Sequence, residues 1–244
     1  MVNGLYTASR GMMNILEKQD INAQNLANAN TTGFKLARLV NKAEVIVGRN
    51  DEGKLHQSEK QTLNGLQTSF EQGPLVKTGN NLDLALAVPG FLMVETEKGT
   101  RYTRGGSLSM NASGELVTLS GRRVLDENGS PIVIDGGNVQ VQDDGSIFVD
   151  GKKSVRLGVV DFQDPQKLLY GDQGLFHNPD PQGNPPVTPP AIAIKQGFLE
   201  GSNVDSVSTM ITLIAEYRNY ESDQRAVRAI DETLGKAVNE VGRV

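Results

Sequence analysis

Two segments with helical apolar spacing stand at opposite ends of this 244-residue chain, and a long centre with a different period separates them. In the first segment, the positions at alternating steps of three and four residues from Leu5 through Met12 and Ile15 to Leu26 are apolar at five of seven places. This is the spacing of a coiled-coil seam. Because so narrow a stripe does not stabilise a long helix alone, we expect this helix to need a partner.

The second segment follows Ser202, which stands three residues before Asp205 in the spacing of a helix-capping signal. The alternation of three and four then continues almost to the C-terminus, over about 36 residues or roughly 54 Å of helix. We predict that this helix pairs with the first one. The seam positions are Met210, Leu213, Tyr217, Tyr220, Gln224, Val227, Asp231, Leu234, Val238 and Val241.

Between the two segments the apolar period changes to two. Short β-like runs fill residues 82–160, the last of them at 155–160, and turns such as Asn128-Gly129 separate them. This pattern is typical of an antiparallel β domain. Residues 178–190 hold six of the ten prolines and are predicted to form a loop without a strand ladder, before a final strand at 191–195.

The sequence therefore predicts an α+β fold, with an antiparallel β-rich central domain flanked by N- and C-terminal coiled-coil-type helices that pair. Residues 1–35 and 199–244 would form a discontinuous helical core domain for assembly. The polar, weakly patterned residues 36–80 would form an extended connector. Residues 81–198 would form the β-rich domain, which we expect to fold alone.

Composition excludes several classes of function. The net charge of −5 offers no basic surface for nucleic acid. No apolar run approaches the ~20 residues of a transmembrane helix, so we expect no direct membrane insertion. The first twenty residues lack a basic region followed by an apolar block, so we expect no cleaved signal peptide. The absence of cysteine excludes disulfides and thiolate chemistry.

The acidic residues of the centre do not form a recognisable catalytic motif. Asp144 precedes Gly145 in a dipeptide typical of a hairpin turn, which explains it better than a cation loop. We predict no enzymatic activity, catalytic residue, cofactor, metal site or small-molecule substrate. The rival hypothesis is a secreted β-domain enzyme acting on glycans. That enzyme would need two carboxylates about 5–10 Å apart in a cleft, near Asp143, Asp144 or Asp161.

Three asparagines recur every third residue at the end of the first helix, at Asn22, Asn25 and Asn28. Their amides therefore lie at neighbouring positions of one helix face, and each offers both donors and an acceptor. Two interpretations stay open: contacts with adjacent subunits that fix their register, or capping of the helix end. Gly33 is the expected stop, with a positive φ.

The run that contains these asparagines resembles a known signature. Residues 24–35 read QNLANANTTGFK, which is similar to the Asn-Asn-Leu-Ala-Asn-x-x-Thr-x-Gly-Phe-Lys signature of the bacterial flagellar rod and hook proteins. Gln24 stands where the first asparagine is usual. Further stretches resemble the family's motifs in the family's order: Asp83-Leu84-Ala85 with Gly90-Phe91, Tyr102-Thr103-Arg104, Gly114-Glu115-Leu116-Val117-Thr118, Leu199-Glu200-Gly201-Ser202-Asn203-Val204, and Tyr220-Glu221.

The resemblance implies a structural subunit of the flagellar basal-body rod, located in the periplasmic space. Such a subunit would be exported by the flagellar type III export apparatus. It would polymerise through its terminal helices, with copies of itself and with other rod and hook proteins, into the shaft that transmits torque from motor to hook. The short connector after Lys35 resembles proximal rod proteins more than distal rod or hook-type subunits, which remain the alternative.

We expect the assembly interface to consist of seam residues, of the asparagines and of the residues of the two terminal motifs. These are Leu5, Met12, Ile15, Asn22, Asn25, Leu26, Asn28, Gly33, Phe34, Glu200, Ser202, Asn203, Val204, Met210, Leu213, Tyr217, Tyr220, Glu221, Val227 and Leu234.

Overall fold

The structure, a computed structural model, describes residues 2–49, 55–171 and 174–241. It divides into two compact units. The first, the helix–hairpin unit, comprises Met1–Ala27, Ala37–Ser69 and Asp205–Val244. The second, the β-rich unit, comprises Asn28–Leu36 and Phe70–Val204.

Two long helices form the first part of the helix–hairpin unit, α1 at Val2–Ala27 and α2 at Ser206–Val241. The prediction of an N-terminal and a C-terminal helix is thus confirmed. Asp205 caps α2, because its Oδ1 accepts hydrogen bonds from the backbone N–H groups of Val207 at 2.9 Å and Ser208 at 3.2 Å. The cap is therefore Asp205, three residues after the serine that the sequence spacing indicated.

The two helices contact each other in antiparallel orientation. Nδ2 of Asn22 donates to both carboxylate oxygens of Glu216, at 2.9 and 3.0 Å. Nearer the start of α1, a Cβ atom added to Gly11 would lie 3.7 Å from Oδ2 of Asp223. Residue numbers therefore decrease along α1 in the direction in which they increase along α2. Both of these contacts involve polar side chains of α2.

A long antiparallel hairpin completes this unit, with strands β1 (Ala37–Arg49) and β2 (Leu55–Thr68). Its register pairs Ala37 with Thr68 and shifts between Glu44 and Ile46. Residues 36–80, expected as an extended connector, thus contain a paired ribbon. Polar residues on both strands obscure the alternation that announces a strand with one buried face.

The β-rich unit contains, in its described part, fifteen short strands and one 3₁₀ helix at Pro165–Lys167. The strands are β3 (Leu75–Lys77), β4 (Leu84–Leu86), β5 (Phe91–Thr96), β6 (Gly99–Thr103), β7 (Leu108–Met110), β8 (Leu116–Thr118), β9 (Val139–Val141), β10 (Ser146–Val149), β11 (Lys152–Arg156), β12 (Val159–Phe162), β13 (Leu169–Tyr170), β14 (Phe176–His177), β15 (Pro186–Val187), β16 (Ile194–Gln196) and β17 (Phe198–Glu200).

All of the strand pairs are antiparallel, which confirms the predicted β-rich antiparallel centre and the α+β class. The largest sheet has the order β13-β14-β6-β5-β12-β15, and a three-stranded sheet has the order β11-β10-β9. Strands β16 and β4, β17 and β3, and β7 and β8 form separate pairs. The pairing of β17 with β3 holds the segment just before α2 within this unit.

Two local predictions for the centre are wrong. The run 155–160 is interrupted at Gly158, where an added Cβ would lie 2.4 Å from the carbonyl oxygen of Asp126, so a close backbone approach ends one strand before the next begins. The proline-rich loop contains β15, in which Pro186 pairs with Phe162. Proline is tolerated there because β15 is an edge strand.

Two apolar clusters form the core of the β-rich unit. The smaller one is aromatic and contains Phe91, Tyr102, Phe162 and Phe176, with Tyr102 and Phe162 in an edge-on contact at 4.8 Å between ring centroids. The larger one is mainly aliphatic: Leu84, Leu86, Leu92, Val94, Leu108, Leu116, Val124, Ile132, Ile134, Val139, Ile147, Leu157, Val159, Leu175 and Ile194.

Candidate assembly interface

The predicted seam of α2 is covered along one border and exposed along the other. Leu213, Tyr220 and Val227 are half-buried, on the same face as Glu216, which binds α1. Met210 and Tyr217, by contrast, are 49% and 58% exposed. The structure therefore brings only part of the predicted seam toward α1.

The exposed part belongs to a continuous apolar stripe, the α2 stripe, which runs along the first three turns of the helix. Its members are 49–67% exposed: Val207, Met210, Ile211, Ile214 and Tyr217. They recur at the i, i+3, i+4, i+7 spacing of one helix face. At 100° per residue, the centre of this stripe lies about 125° around the helix from the direction of Leu213 and Glu216, and Tyr217 lies at the border, about 40° from Leu213. Apolar patches of this kind mark interaction sites on proteins.

The predicted residues of α1 lie mostly on its half-buried face. Met12, Ile15, Asn22 and Leu26 are all half-buried. Two neighbouring apolar side chains that the seam did not include are exposed instead: Met13 at 67% and Leu16 at 44%. The side chains of Leu5 and Leu234 lie outside the described ones, and Glu221 on α2 is half-buried.

The structure gives Asn25 a role within the chain, which is one of the two interpretations that the sequence leaves open. Its side chain is 0% exposed. Nδ2 donates to the carbonyl oxygen of Ala37 at 2.7 Å, and Oδ1 accepts from the Ala37 N–H at 3.0 Å. Oδ1 of Asn28 accepts from the Thr31 hydroxyl at 3.1 Å. For both asparagines, these contacts favour the interpretation in which the amides close the end of the helix.

The terminal motifs meet at a buried cluster of three charged side chains, the ion cluster. Nζ of Lys35 lies 2.5 Å from Oε1 of Glu200, and both side chains are 0% exposed. Nη1 of Arg104 lies 3.3 Å from Oε2 of the same carboxylate. Lys35 also donates to the carbonyl oxygen of Glu71 at 2.6 Å, and Arg104 to that of Val88 at 3.1 Å.

Backbone contacts reinforce the ion cluster. The N–H of Gly33 donates to the carbonyl oxygen of Glu200 at 2.8 Å, and the N–H of Gly73 donates to its Oε1 at 3.0 Å. Oδ1 of Asn203 accepts from the N–H of Leu36 at 2.7 Å. Gly33 has φ +71°, as predicted, and an added Cβ would lie 2.4 Å from the backbone carbonyl carbon of Arg104.

The remaining members of the terminal motifs are also packed inside the β-rich unit. Phe34 is buried and meets the ring of Tyr170 edge-on, with 5.5 Å between centroids. Ser202 and Val204 are buried, and the Ser202 hydroxyl accepts from the N–H of Val204 at 3.2 Å. These motif residues thus position the chain within one unit, whereas the α2 stripe faces outward.

Burial dominates the electrostatics of the ion cluster. Removal from water lowers the pKa of Lys35 from its ordinary value, and the hydrogen bond with Glu200 opposes this effect. Burial likewise lowers the pKa of Arg104, against the attraction of Glu200. Sequence reasoning missed this cluster, although Lys35, Arg104 and Glu200 each stand in a motif that carries the family resemblance.

The carboxylates considered for catalysis serve local structure. Asp144 accepts from the backbone N–H and the hydroxyl of Ser146, both at 2.9 Å, and these bonds lower the pKa of the Asp144 carboxyl. Oδ1 of Asp161 accepts from the N–H of Phe162 at 2.8 Å. Within the described part of the chain, no three histidine, aspartate or glutamate side chains converge in a way that suits a metal ion.

Across the residues that the structure describes, no helix combines the length and the apolar character needed to cross a bilayer.

Comparison with known families identifies three matching segments. Residues 5–35 match a family described as flagella basal body rod protein. Residues 85–149 match the flagellar hook protein FlgE/F/G D1 domain, and residues 195–240 match the C-terminal segment of flagellar basal body rod FlgEFG proteins. Each of the three segments supplies one member of the ion cluster.

Similar proteins extend over the whole chain. A flagellar basal-body rod protein FlgF of Caulobacter vibrioides is 35% identical and covers 100% of both chains. FlgF of Escherichia coli is 30% identical over 97% of each chain. A flagellar basal-body rod protein FlgG of Bacillus subtilis is 31% identical over 98% of this chain and 99% of its own. The present chain belongs to the family of flagellar basal-body rod proteins.

Proposed function

We propose that this structural subunit of the flagellar basal-body rod joins neighbouring axial subunits through the α2 stripe. The observation that carries the proposal is the exposure of five large apolar side chains on one helix face, from Val207 to Tyr217. The partners would be the terminal helices of further copies of this chain and of other rod and hook proteins. Joined in this way, the subunits form the shaft that transmits torque from motor to hook.

Among the described residues, contacts within the chain leave the α2 stripe exposed. Helix α1 occupies the face that carries Leu213 and Glu216, and Glu216 is held there by Asn22. Burial of apolar surface is worth about 25 cal/mol per Å², so covering five large side chains stabilises an assembly substantially. A stripe one helix face wide fits the groove between helices of a neighbour.

The difference in length between the two helices is a second argument for contacts between subunits. Helix α2 has 36 residues and α1 has 26, so α2 is longer by about 15 Å. One antiparallel partner of this length leaves part of α2 without a helical neighbour. Subunits stacked along an axis would supply that neighbour, and coiled-coil-type pairing between subunits is the arrangement that the three/four alternation favours.

We infer that this subunit belongs to the proximal part of the rod. Support comes from the short segment that follows Lys35, at residues 36–80, whereas a longer one is expected in distal rod or hook-type relatives. Both FlgF and FlgG proteins match nearly the full chain, so a distal or hook-type subunit is the alternative. A direct test is to locate the labelled subunit along isolated basal bodies.

We also infer that the chain reaches the periplasmic part of the basal body through the flagellar type III export apparatus and that it has no enzymatic activity. The support is the family relationship. The local hydrogen bonds of Asp144 and Asp161 agree with a structural role, because both carboxylates hold backbone N–H groups.

The experiment that tests assembly places a charge on the α2 stripe. Ile214→Glu should leave the subunit folded, because Ile214 is 56% exposed, and it should abolish rod incorporation and swimming. Asn219→Glu is the matched control, since Asn219 is exposed on the same helix away from the stripe. Normal swimming with Ile214→Glu would contradict the proposal.

Two further variants test the contact of α2 with α1 and the role of the helix as a whole. Leu213→Asp should weaken the contact with α1, and removal of residues 206–244 should abolish assembly while the β-rich unit keeps its ion cluster. A truncated chain that still built a rod would show that the β-rich unit, rather than the helices, carries assembly.

A further inference from the structure

The ion cluster joins parts of the chain that are far apart in sequence. Lys35 and Glu200 are separated by 165 residues, and Arg104 and Glu200 by 96. Glu200 provides the only carboxylate that binds either cation directly in the described part of the chain. Asp161 acts on Arg104 at longer range, and its Oδ1 accepts from the N–H of Phe162.

We propose that Glu200 is a folding latch: the β-rich unit holds its folded state only while the segment 199–204 is docked and its carboxylate neutralises Lys35 and Arg104. The chain on either side of this unit leads directly into α1 and α2. Docking of the two terminal motifs thus becomes a condition for folding of the whole unit. The latch operates in the single subunit, independently of assembly through the α2 stripe.

Because one anion faces two cations, we expect the loss of Glu200 to destabilise the unit more than the loss of Lys35. Removing Glu200 leaves two buried cations without a bound anion, and their unpaired charge opposes the folded state strongly. Removing Lys35 leaves Arg104 and Glu200 as a pair of opposite charges at 3.3 Å. If the three side chains contributed only packing, removal of the anion would not destabilise the unit more than removal of a cation.

The backbone contacts extend the effect beyond the three side chains. Glu200 also accepts from the N–H groups of Gly33 and Gly73, and the N–H of Gly201 donates to the carbonyl oxygen of Pro74 at 2.8 Å. Strand β17, which ends at Glu200, pairs with β3. Loss of the carboxylate removes its bonds to Lys35, Arg104 and Gly73 directly. The Gly33 and Gly201 bonds join backbone groups, so they are lost only when the whole docked segment leaves.

Hydrogen exchange of the full-length chain, followed by mass spectrometry, tests the proposal. Glu200→Gln keeps the shape of the side chain and removes its charge, and Lys35→Met removes one cation. Glu127→Gln is the matched control, because its carboxylate pairs with Arg156 at 3.8 Å on the surface, with side-chain exposures of 54% and 36%.

We expect Glu200→Gln to lower the protection of amides throughout the β-rich core, including those of β5 and β14, by about 100-fold or more. Lys35→Met should lower it less, and Glu127→Gln should leave it unchanged. Loss of protection confined to residues 28–36 and 199–204, with the core intact, would overturn the proposal. Equal effects of Glu200→Gln and Lys35→Met would overturn it as well.

A charge-free variant provides the second check. Lys35→Met, Arg104→Met and Glu200→Met combined remove all three charges, so this variant should recover core protection relative to Glu200→Gln. If it exchanges as fast as Glu200→Gln, the instability comes from lost packing and the electrostatic latch is refuted.

Discussion

Nζ of Lys35 lies 2.5 Å from Oε1 of Glu200, and both side chains are fully buried. This ion pair joins the residues that follow α1 to the residues that precede α2. It explains why Asn28–Leu36 and the residues up to Val204 belong to the β-rich unit, although the sequence grouped 1–35 and 199–244 with the helices. Buried opposite charges bind in pairs because either charge alone would be costly to bury.

The first prediction concerns the boundaries of the β-rich unit. A fragment of residues 81–198 retains Arg104 but lacks Lys35 and Glu200, so we now expect it not to fold cooperatively. A fragment of residues 28–204 keeps the whole cluster and should give β-type circular dichroism and a single cooperative thermal transition. Cooperative melting of 81–198 would show that the terminal motifs are dispensable for folding.

The second prediction concerns pH. Burial lowers the pKa of Lys35 in the folded state below its ordinary value of 10.5. Between the lowered folded pKa and 10.5, the unfolded chain binds more protons at this residue than the folded chain does. The Lys35 contribution to stability is therefore present above pH 10.5 and is lost as the pH falls through the folded pKa.

Denaturant unfolding over this alkaline range checks the sign. The difference in unfolding free energy between the native chain and Lys35→Met should shift in favour of the native chain as pH rises. A difference that stays constant, or that moves the other way, would mean that Lys35 is not held below its ordinary pKa. Using the difference removes the contributions of other titrating groups.

The third prediction separates backbone strain from close approach. Gly33 and Gly79 have similar φ values of +71° and +79°, but an added Cβ meets backbone atoms at 2.4 Å only at Gly33, whereas nothing lies within 4 Å at Gly79. Gly79→Ala should cost about 1 kcal/mol through its φ alone. Gly33→Ala should cost about 3 kcal/mol, because the backbone near Arg104 must also move. Equal losses in urea denaturation would contradict the close approach.

The fourth prediction concerns Asn25. Asn25→Ala leaves the N–H and carbonyl groups of Ala37 without their side-chain partner, so it should lower the unfolding free energy of the helix–hairpin unit by about 1–3 kcal/mol. Asn30→Ala, at an exposed position just beyond α1, is the control and should change it by less than about 0.5 kcal/mol. If Asn25→Ala impaired assembly with unchanged stability, the amide would act between subunits after all.

The sequence was sufficient to predict what local patterns determine. The three/four alternation located both helices, and the glycine-punctuated runs located strands such as β9 and β10. The hairpin of β1 and β2 was missed because its polar strands lack a one-sided apolar pattern.

For the candidate site as well, the sequence predicted what depends on neighbouring residues and did not predict the contacts between distant ones. Apolar spacing correctly selected residues of α2, but it did not reveal which of them are covered: Leu213 and Tyr217 are neighbours on one side of the helix, yet Leu213 is half-buried and Tyr217 is 58% exposed. The ion cluster depends on contacts across 96 and 165 residues. Local patterns do not encode such pairings.

The central claim is that the α2 stripe binds neighbouring axial subunits, and crosslinking in intact basal bodies tests it most directly. The chain contains no cysteine, so Ile214→Cys provides a unique thiol for a photoreactive maleimide, and Asn219→Cys provides the control on the same helix. We predict that the probe at residue 214 forms crosslinks with the terminal helices of rod or hook proteins, at higher yield than the probe at residue 219. Crosslinks from residue 214 that remain within its own chain, in basal bodies that contain the labelled subunit, would contradict the account.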